Sequence, residues 1–278
     1  MTDARIGPTE KRLYEDEGYV VVPALYSREE AGAFIEEYER RWVELIHAGS
    51  IVQNPDKPLA SLFPRMYNYD RDNDKVLELV LDPKLFDAVE ALAGEEVLLI
   101  ATSYYFKGPG MKGLPMHQDD LVFGIEPGTV YSAWISLDPA DEENGCMVFV
   151  PKSHKLKLVE PDRDVSETLA VFSDDGRQIR VPDGHESVVV PTRPGDTIIF
   201  DGYSIHASLD NVSTDRFRRA LLVQFAGVGT EKLLPNFNNL LNRKGERVRR
   251  RLNTNPNLMK NQNSVFSAKE GNYFGSWR

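Results

Sequence analysis

The sequence predicts a mainly β protein, a sandwich or barrel with flanking helices, and three observations predict it. Between residues 95 and 226, short segments rich in Val, Ile, Tyr and Phe recur, separated by Gly, Pro and Asp-Gly turns. No regular alternation of strand and helix runs through them, which argues against a parallel α/β sheet. Two capped, helix-periodic segments come first. Length and composition agree: 278 residues, 41% hydrophobic and 27% charged, are enough for a sizeable core. No internal repeat or low-complexity linker divides the chain. We therefore expect one domain over 1–278, with a helical part at about 1–94, a β core at about 95–226 and a basic extension over 227–278.

The first helix is predicted from Ser27-Arg28-Glu29-Glu30, a capping box in which Ser27 and Glu30 satisfy each other's backbone N–H. Phe34, Tyr38, Trp42 and Leu45 follow at helical spacing, and Gly49 can end the helix. That stripe reads as core. A second helix starts at Asp82-Pro83 and runs through Leu85, Val89 and Leu92 to Gly94. Strands are predicted over 96–107, 129–137, 145–150, 186–190, 197–200 and 220–226. Residues 155–185, with turns at Asp174-Asp175-Gly176 and Pro182-Asp183-Gly184, read as a long loop.

The net charge of −10 argues against a nucleic-acid partner, because an acidic surface repels phosphates. No apolar run approaches the roughly 18 residues that span a bilayer, so no membrane partner is expected. Cys146 is the only cysteine, which excludes an internal disulfide and cysteine-rich zinc sites. With no apolar leader in the opening residues, this predicts a cytoplasmic protein. Charge is uneven: residues 227–278 carry ten Lys or Arg against three Asp or Glu. The Arg249-Arg250-Arg251 run could dock on the acidic body, join a second subunit as a homodimer, or meet an anionic substrate; a solvated helix face is the plainest reading.

Five histidines are present, and His117-Gln118-Asp119 is the most informative context. On an extended segment His117 and Asp119 share a face and could meet one metal ion, with Gln118 pointing away. A surface-loop hydrogen bond is the plainer reading of such a triplet alone. His206 lies 89 residues downstream, after Pro194-Gly195-Asp196 and an apolar strand. Two imidazoles and one carboxylate form the facial triad of non-haem Fe(II) oxygenases, which leaves coordination positions open; alone, His206 reads equally as a core histidine. Beyond it, an arginine entering a buried strand is costly unless it meets an anion. Arg218 is the favoured carboxylate anchor, with Ser208 as a second donor, and Arg216 and Arg219 compete with it.

The ordered set resembles the phytanoyl-CoA dioxygenase (PhyH) family of Fe(II)/2-oxoglutarate oxygenases. The resemblance rests on His117-Gln118-Asp119, Trp134-Ile135-Ser136-Leu137, Glu143-Asn144-Gly145-Cys146-Met147 and Val150-Pro151-Lys152-Ser153-His154. Pro194-Gly195-Asp196, His206-Ala207-Ser208 with Asn211, and Phe217-Arg218-Arg219-Ala220 complete it, in the family's order, over about 115–226. Glu17–Pro23 is similar to the family's opening strand, whereas Lys152 replaces its usual glycine. The resemblance implies a double-stranded β-helix (jelly-roll, cupin-like) core. It implies Fe(II) on His117, Asp119 and His206, 2-oxoglutarate on Arg218 and Ser208 with Trp134 nearby, and O2 as co-reactant. His154 would be structural. Because Asp119 is a carboxylate and not a small residue, halogenation is disfavoured.

The activity so implied is hydroxylation of an unactivated C–H bond of a small-molecule metabolite or natural product, releasing succinate and CO2. Desaturation, epimerisation or ring formation use the same cofactors. Tyr67, Tyr104 and Phe123 are candidate substrate residues, each of which reads equally as core. The carboxy-terminal Asn272–Arg278 could close over the site. Two other classes compete: a non-catalytic jelly-roll binding module, and a zinc hydrolase on the same ligands, for which no general base is evident.

Overall fold

The computed structural model describes residues 6–56, 58–161, 179–234 and 237–254. Helix α1 is Pro8–Glu17, α2 Arg28–His47, α3 Pro58–Leu62, α4 Asp74–Val80, α5 Pro83–Ala93 and α6 Asp120–Phe123. Strands β1 (Tyr19–Val22), β2 (Met66–Tyr67), β3 (Val97–Tyr105), β4 (Val130–Ser136) and β5 (Met147–Phe149) come first. They are followed by β6 (Val188–Val190), β7 (Thr197–Asp201), β8 (His206–Ser208) and β9 (Ala220–Gly227). Four short strands close the described chain: β10 (Lys232–Leu233), β11 (Leu240–Leu241), β12 (Arg247–Val248) and β13 (Arg251–Leu252).

Local signals placed the main elements well. The Ser27 hydroxyl accepts the Glu30 N–H at 3.2 Å and the Glu30 carboxylate accepts the Ser27 N–H at 2.7 Å, so the capping box starts α2 as expected. Asp82 caps α5 and Gly94 ends it in the left-handed conformation. All six predicted strands are present, with ends moved by one or two residues.

The large sheet has eight strands in the order β1-β7-β4-β9-β3-β11-β12, with β2 also on β3; the small one runs β6-β5-β8. Strand parity decides what each face meets. Ala133, Ile135, Val223, Phe225 and Ile199 point outwards and join Phe34, Tyr38, Leu85 and Phe86 of the helices in one core. Ser132, Trp134, Leu222, Gln224, Ile198 and Phe200 point inwards. Trp134, Ile198, Phe200 and Leu222 there pack against Met147, Phe149 and Val190 of the small sheet, closing a two-layer jelly roll. A reciprocal pair of backbone bonds joins His117 to His206, at 2.9 and 3.0 Å, and extends the small sheet by one rung.

Several expectations are corrected. The Glu17–Pro23 segment does hold an opening strand, β1, at the sheet edge on β7, whereas β2 on β3 is a further strand in the helical amino-terminal part. The described part of 227–278 is short strands, not a helix. Its Arg243 reaches Asp87 (2.6 Å) and Glu90 (3.3 Å) of α5, so this segment docks on its own acidic body, while exposed Arg251 pairs with Glu231. Residues 162–178 of the predicted loop and 272–278 of the tail lie outside the described residues. Lys152 stands where φ is +66°, a left-handed conformation that accounts for a glycine being usual there. No described helix is long and apolar enough to cross a membrane.

Tyr104 faces the helices. It stacks on Tyr38 at 4.3 Å and meets Phe106 edge-on at 4.9 Å, because its parity on β3 is opposite to that of Ser103 and Tyr105. Phe123 is core too, with its ring 4.4 Å from that of Phe237. Both rings are thus part of these cores. Tyr104→Ala should therefore lower stability by about 3–5 kcal/mol in denaturant titration, the usual loss for a buried aromatic ring.

Candidate active site

Residues His117, Asp119 and His206 converge, with one ligand atom of each lying within 4.8 Å of the others. The Nε2 atoms of His117 and His206 stand 3.6 and 3.8 Å from Asp119 Oδ1. Each ring is turned by the same local device. His117 Nδ1 donates to the carbonyl of Pro115 (2.7 Å) and His206 Nδ1 to that of Ser204 (3.0 Å), two residues back in each case. That fixes the tautomer and aims Nε2 inwards. The premise that His117 and Asp119 lie on one extended strand is corrected: Asp119 is already helical, at φ −63° and ψ −36°, capping the short α6. The turn folds its carboxylate back towards the histidines.

The Asp119 oxygens have separate partners. Oδ2 accepts from the Ser132 hydroxyl at 2.6 Å and from the Gln224 amide at 2.9 Å, while Oδ1 faces the imidazoles. Ser132 and Gln224 are directly opposite on β4 and β9. Burial alone would raise the Asp119 carboxyl, but His206, His117 and Ser132 outweigh it and hold it well below the usual range. Burial, with His117 beside it, pushes His206 down to about 4, so its ring is neutral at physiological pH. A neutral imidazole and an ionised carboxylate are the forms that bind metal. Two ring nitrogens and one carboxylate oxygen, preset by satisfied partners, fit Fe(II).

One pleat along β4 from Ser132 lies Trp134, with the Arg218 guanidinium 5.4 Å above its ring. Of the three competing arginines, Arg216 is paired with Asp141 (2.7 Å) and Glu143 (2.6 Å), and Arg219 with Asp138 (2.7 Å) and Glu39. Arg218 is 3% exposed, donates from Nε to the Gly145 carbonyl at 3.0 Å, and has no ion-pair partner among the described residues. Ser208 Oγ accepts the Leu114 N–H at 3.0 Å. Asn144 and Asn211 act on the backbone: Asn144 donates to the Phe217 carbonyl and Asn211 to that of Arg216, fixing the approach to Arg218.

Tyr67 is on the inner face opposite Ser103, beneath the Arg65 guanidinium, which also covers Tyr105 and donates to Ser103. Gln118 does point away, donating to the carbonyls of Lys157 and Tyr203 and accepting from Val159. His154 lies outside the cluster, its Nε2 against the Glu15 carbonyl. Sequence reasoning missed Ser132 and Gln224. Their signal was a polar residue at an inward position of an otherwise apolar strand.

The sequence pattern of the family described as phytanoyl-CoA dioxygenase (PhyH) matches residues 14–220. The chain belongs to this family. As a PhyH member it is an Fe(II)/2-oxoglutarate-dependent dioxygenase, an oxidoreductase acting with O2 on a small molecule. It is similar to the peroxisomal phytanoyl-CoA dioxygenase of Mus musculus, 27% identical over 229 residues, 78% of this chain and 67% of that one. It is also similar to the 2-aminoethylphosphonate dioxygenase of an uncultured bacterium, 32% identical over 145 residues, 51% of this chain and 50% of the relative. The fold is that of the epimerase SnoN from nogalamycin biosynthesis, solved with Fe3+, alpha ketoglutarate and nogalamycin RO, at TM-score 0.63. That match is 23% identical and covers 80% of this chain and 84% of SnoN. The jelly-roll expectation holds.

Because Ser132 and Gln224 set which Asp119 oxygen faces the histidines, Gln224→Ala should weaken Fe(II) or Co(II) binding by roughly 10- to 100-fold in a metal titration.

Proposed function

We propose that this PhyH member hydroxylates an unactivated C–H bond of a small molecule, with Fe(II) on His117, Asp119 and His206 and the distal carboxylate of 2-oxoglutarate on Arg218 and Ser208. The observation that carries this reading is a His–Asp–His face beside a buried arginine without an acid partner among the described residues. When bound, iron and 2-oxoglutarate supply the activation of dioxygen, the cosubstrate leaving as succinate and CO2.

The chain's own part is placement. His117, Asp119 and His206 would hold the iron and leave it open to a chelating cosubstrate and dioxygen. Ser132 and Trp134 are successive inward positions of β4, about 7 Å apart. Phe200 and Phe149 pack beside the His206 ring at 4.6 and 5.7 Å and keep water from that side. Tyr67, with Arg65 over it, stands at the same inner face and is a candidate for the substrate side. Desaturation, epimerisation or ring closure would use the same residues, and product analysis separates them.

We read the described chain as one catalytic unit, since helices and both sheets share its cores. A homodimer through 227–278 rests on charge contrast alone and is checked by sedimentation of the full chain. A cytoplasmic location rests on the single, buried Cys146.

His117→Ala should abolish iron-dependent succinate formation while leaving the circular-dichroism spectrum unchanged. In the parent, Fe(II) and 2-oxoglutarate mixed anaerobically should give a visible charge-transfer band, weakened in Asp119→Ala and Arg218→Ala. Full turnover by the His117 variant would overturn the ligand assignment.

A further inference from the structure

Four rings meet between the two sheets at His206: those of His206, Phe149, Phe200 and Tyr19. Phe149 of β5 is the direct cross-strand partner of His206, and its ring lies 5.7 Å from the imidazole at 22°. On the facing sheet, Tyr19 of β1 is paired with Phe200 of β7, and both pack inwards. Tyr19 stacks on Phe149 at 4.4 Å and 14°, while Phe200 meets Phe149 edge-on at 5.2 Å. This column begins at a buried candidate metal ligand and ends at a partly exposed phenol. Packing alone would be served as well by phenylalanine at position 19, because no hydrogen bond holds the Tyr19 hydroxyl among the described residues.

The other oxidisable rings on the inner face are placed differently. The Arg218 guanidinium lies 5.4 Å over Trp134, and that of Arg65 lies 5.5 Å from Tyr67 and 5.1 Å from Tyr105. A ring that loses an electron beneath a cation gains charge of the same sign in a low-dielectric interior, so these three are poor donors. Among the described residues no cation lies over Tyr19. The charge whose field reaches it is Glu17, whose carboxylate stands 3.7 Å from Lys152. Negative charge beside a phenol favours the loss of an electron. We propose that Tyr19 is a protective outlet for oxidising equivalents, reached from the metal through His206 and Phe149, that works when dioxygen has been activated with no substrate C–H bond in place.

Dioxygen takes four electrons, and 2-oxoglutarate supplies two of them as it becomes succinate and CO2. With no substrate present, two more are needed. Tyr19 passes them one at a time. Its O–H bond breaks, the electron moves through Phe149 and His206 to the oxidised metal, and the proton goes to solvent at this partly exposed residue. A one-electron reductant of the ascorbate class restores the phenol by giving an electron and a proton. Two such cycles return the iron to Fe(II), and the second oxygen atom of dioxygen leaves as water with the two protons released. Without the outlet, the same oxidant is spent on side chains that line the pocket.

The inference rests on the proposed function, and the test separates the two. Fe(II)-loaded parent, Tyr19→Phe and Phe149→Leu are mixed anaerobically with 2-oxoglutarate and then with O2, without substrate or reductant. Freeze-quench electron paramagnetic resonance reads the radical, and peptide mass spectrometry locates added oxygen and tyrosine cross-links. Succinate is measured alongside, and thermal melts check folding. The expected result is a tyrosyl signal in the parent that is lost in Tyr19→Phe, which keeps the stacked ring, and falls several-fold in Phe149→Leu. Oxidation in Tyr19→Phe should move to pocket residues such as Trp134, with several-fold more inactivation per succinate formed. A signal undiminished in either variant, or none in a parent that forms succinate, overturns the role of Tyr19 while the function stands. Neither a charge-transfer band nor succinate in the parent overturns the function itself.

Discussion

Asp119 gives one oxygen to Ser132 and Gln224, on neighbouring strands of the large sheet, and turns the other to two imidazoles. Everything around the metal position depends on that division. It requires Ser132 and Gln224 to be opposite each other and both inward, which holds only in the observed register of β4 and β9. A one-residue slip would send both polar groups to the helices and bring Ala133 and Val223 inside. The hydrophobic pattern that selects the register therefore also selects the orientation of the carboxylate. Core packing and ligand geometry are one constraint here.

Much of this was legible in the chain. The capping box at Ser27, the Asp82-Pro83 start and the six strands follow from local rules, and those rules agree with the tertiary packing that formed. The convergence of His117, Asp119 and His206 was legible from residue types and their order, although an extended segment does not account for His117 and Asp119. A turn at Asp119 brings them together, and turn geometry is weakly written in side-chain type. The burial of Tyr104 and Phe123 was left open because an aromatic residue near a site has two faces to choose from. Periodicity shows that neighbours differ in facing, but the partner strand decides which one faces in. Short pairings such as β2 with β3, or β11 with β3, depend on contacts far apart in sequence and left little local trace.

The three arginines differ in what the fold gives them to meet. Arg216 and Arg219 flank Arg218, and each meets carboxylates of its own chain, which ties the entry to β9 to the 138–143 turn. Arg218 is turned into the apolar interior over Trp134 instead. In a chain with a net charge of −10, acids are abundant, yet none among the described residues forms an ion pair with Arg218.

Strand β3 carries an irregularity between Leu99 and Ala101, where the pairing with β9 gains a residue. Before it the strand faces Leu98 inwards to a closed apolar end; after it come Ser103 and Tyr105. The extra residue works as a phase marker that lets one strand obey two alternations. Substitutions on the closed side can follow packing alone, and those on the open side can follow chemistry alone, without either rewriting the other. A relative with a different pocket would need to change only the segment beyond the marker.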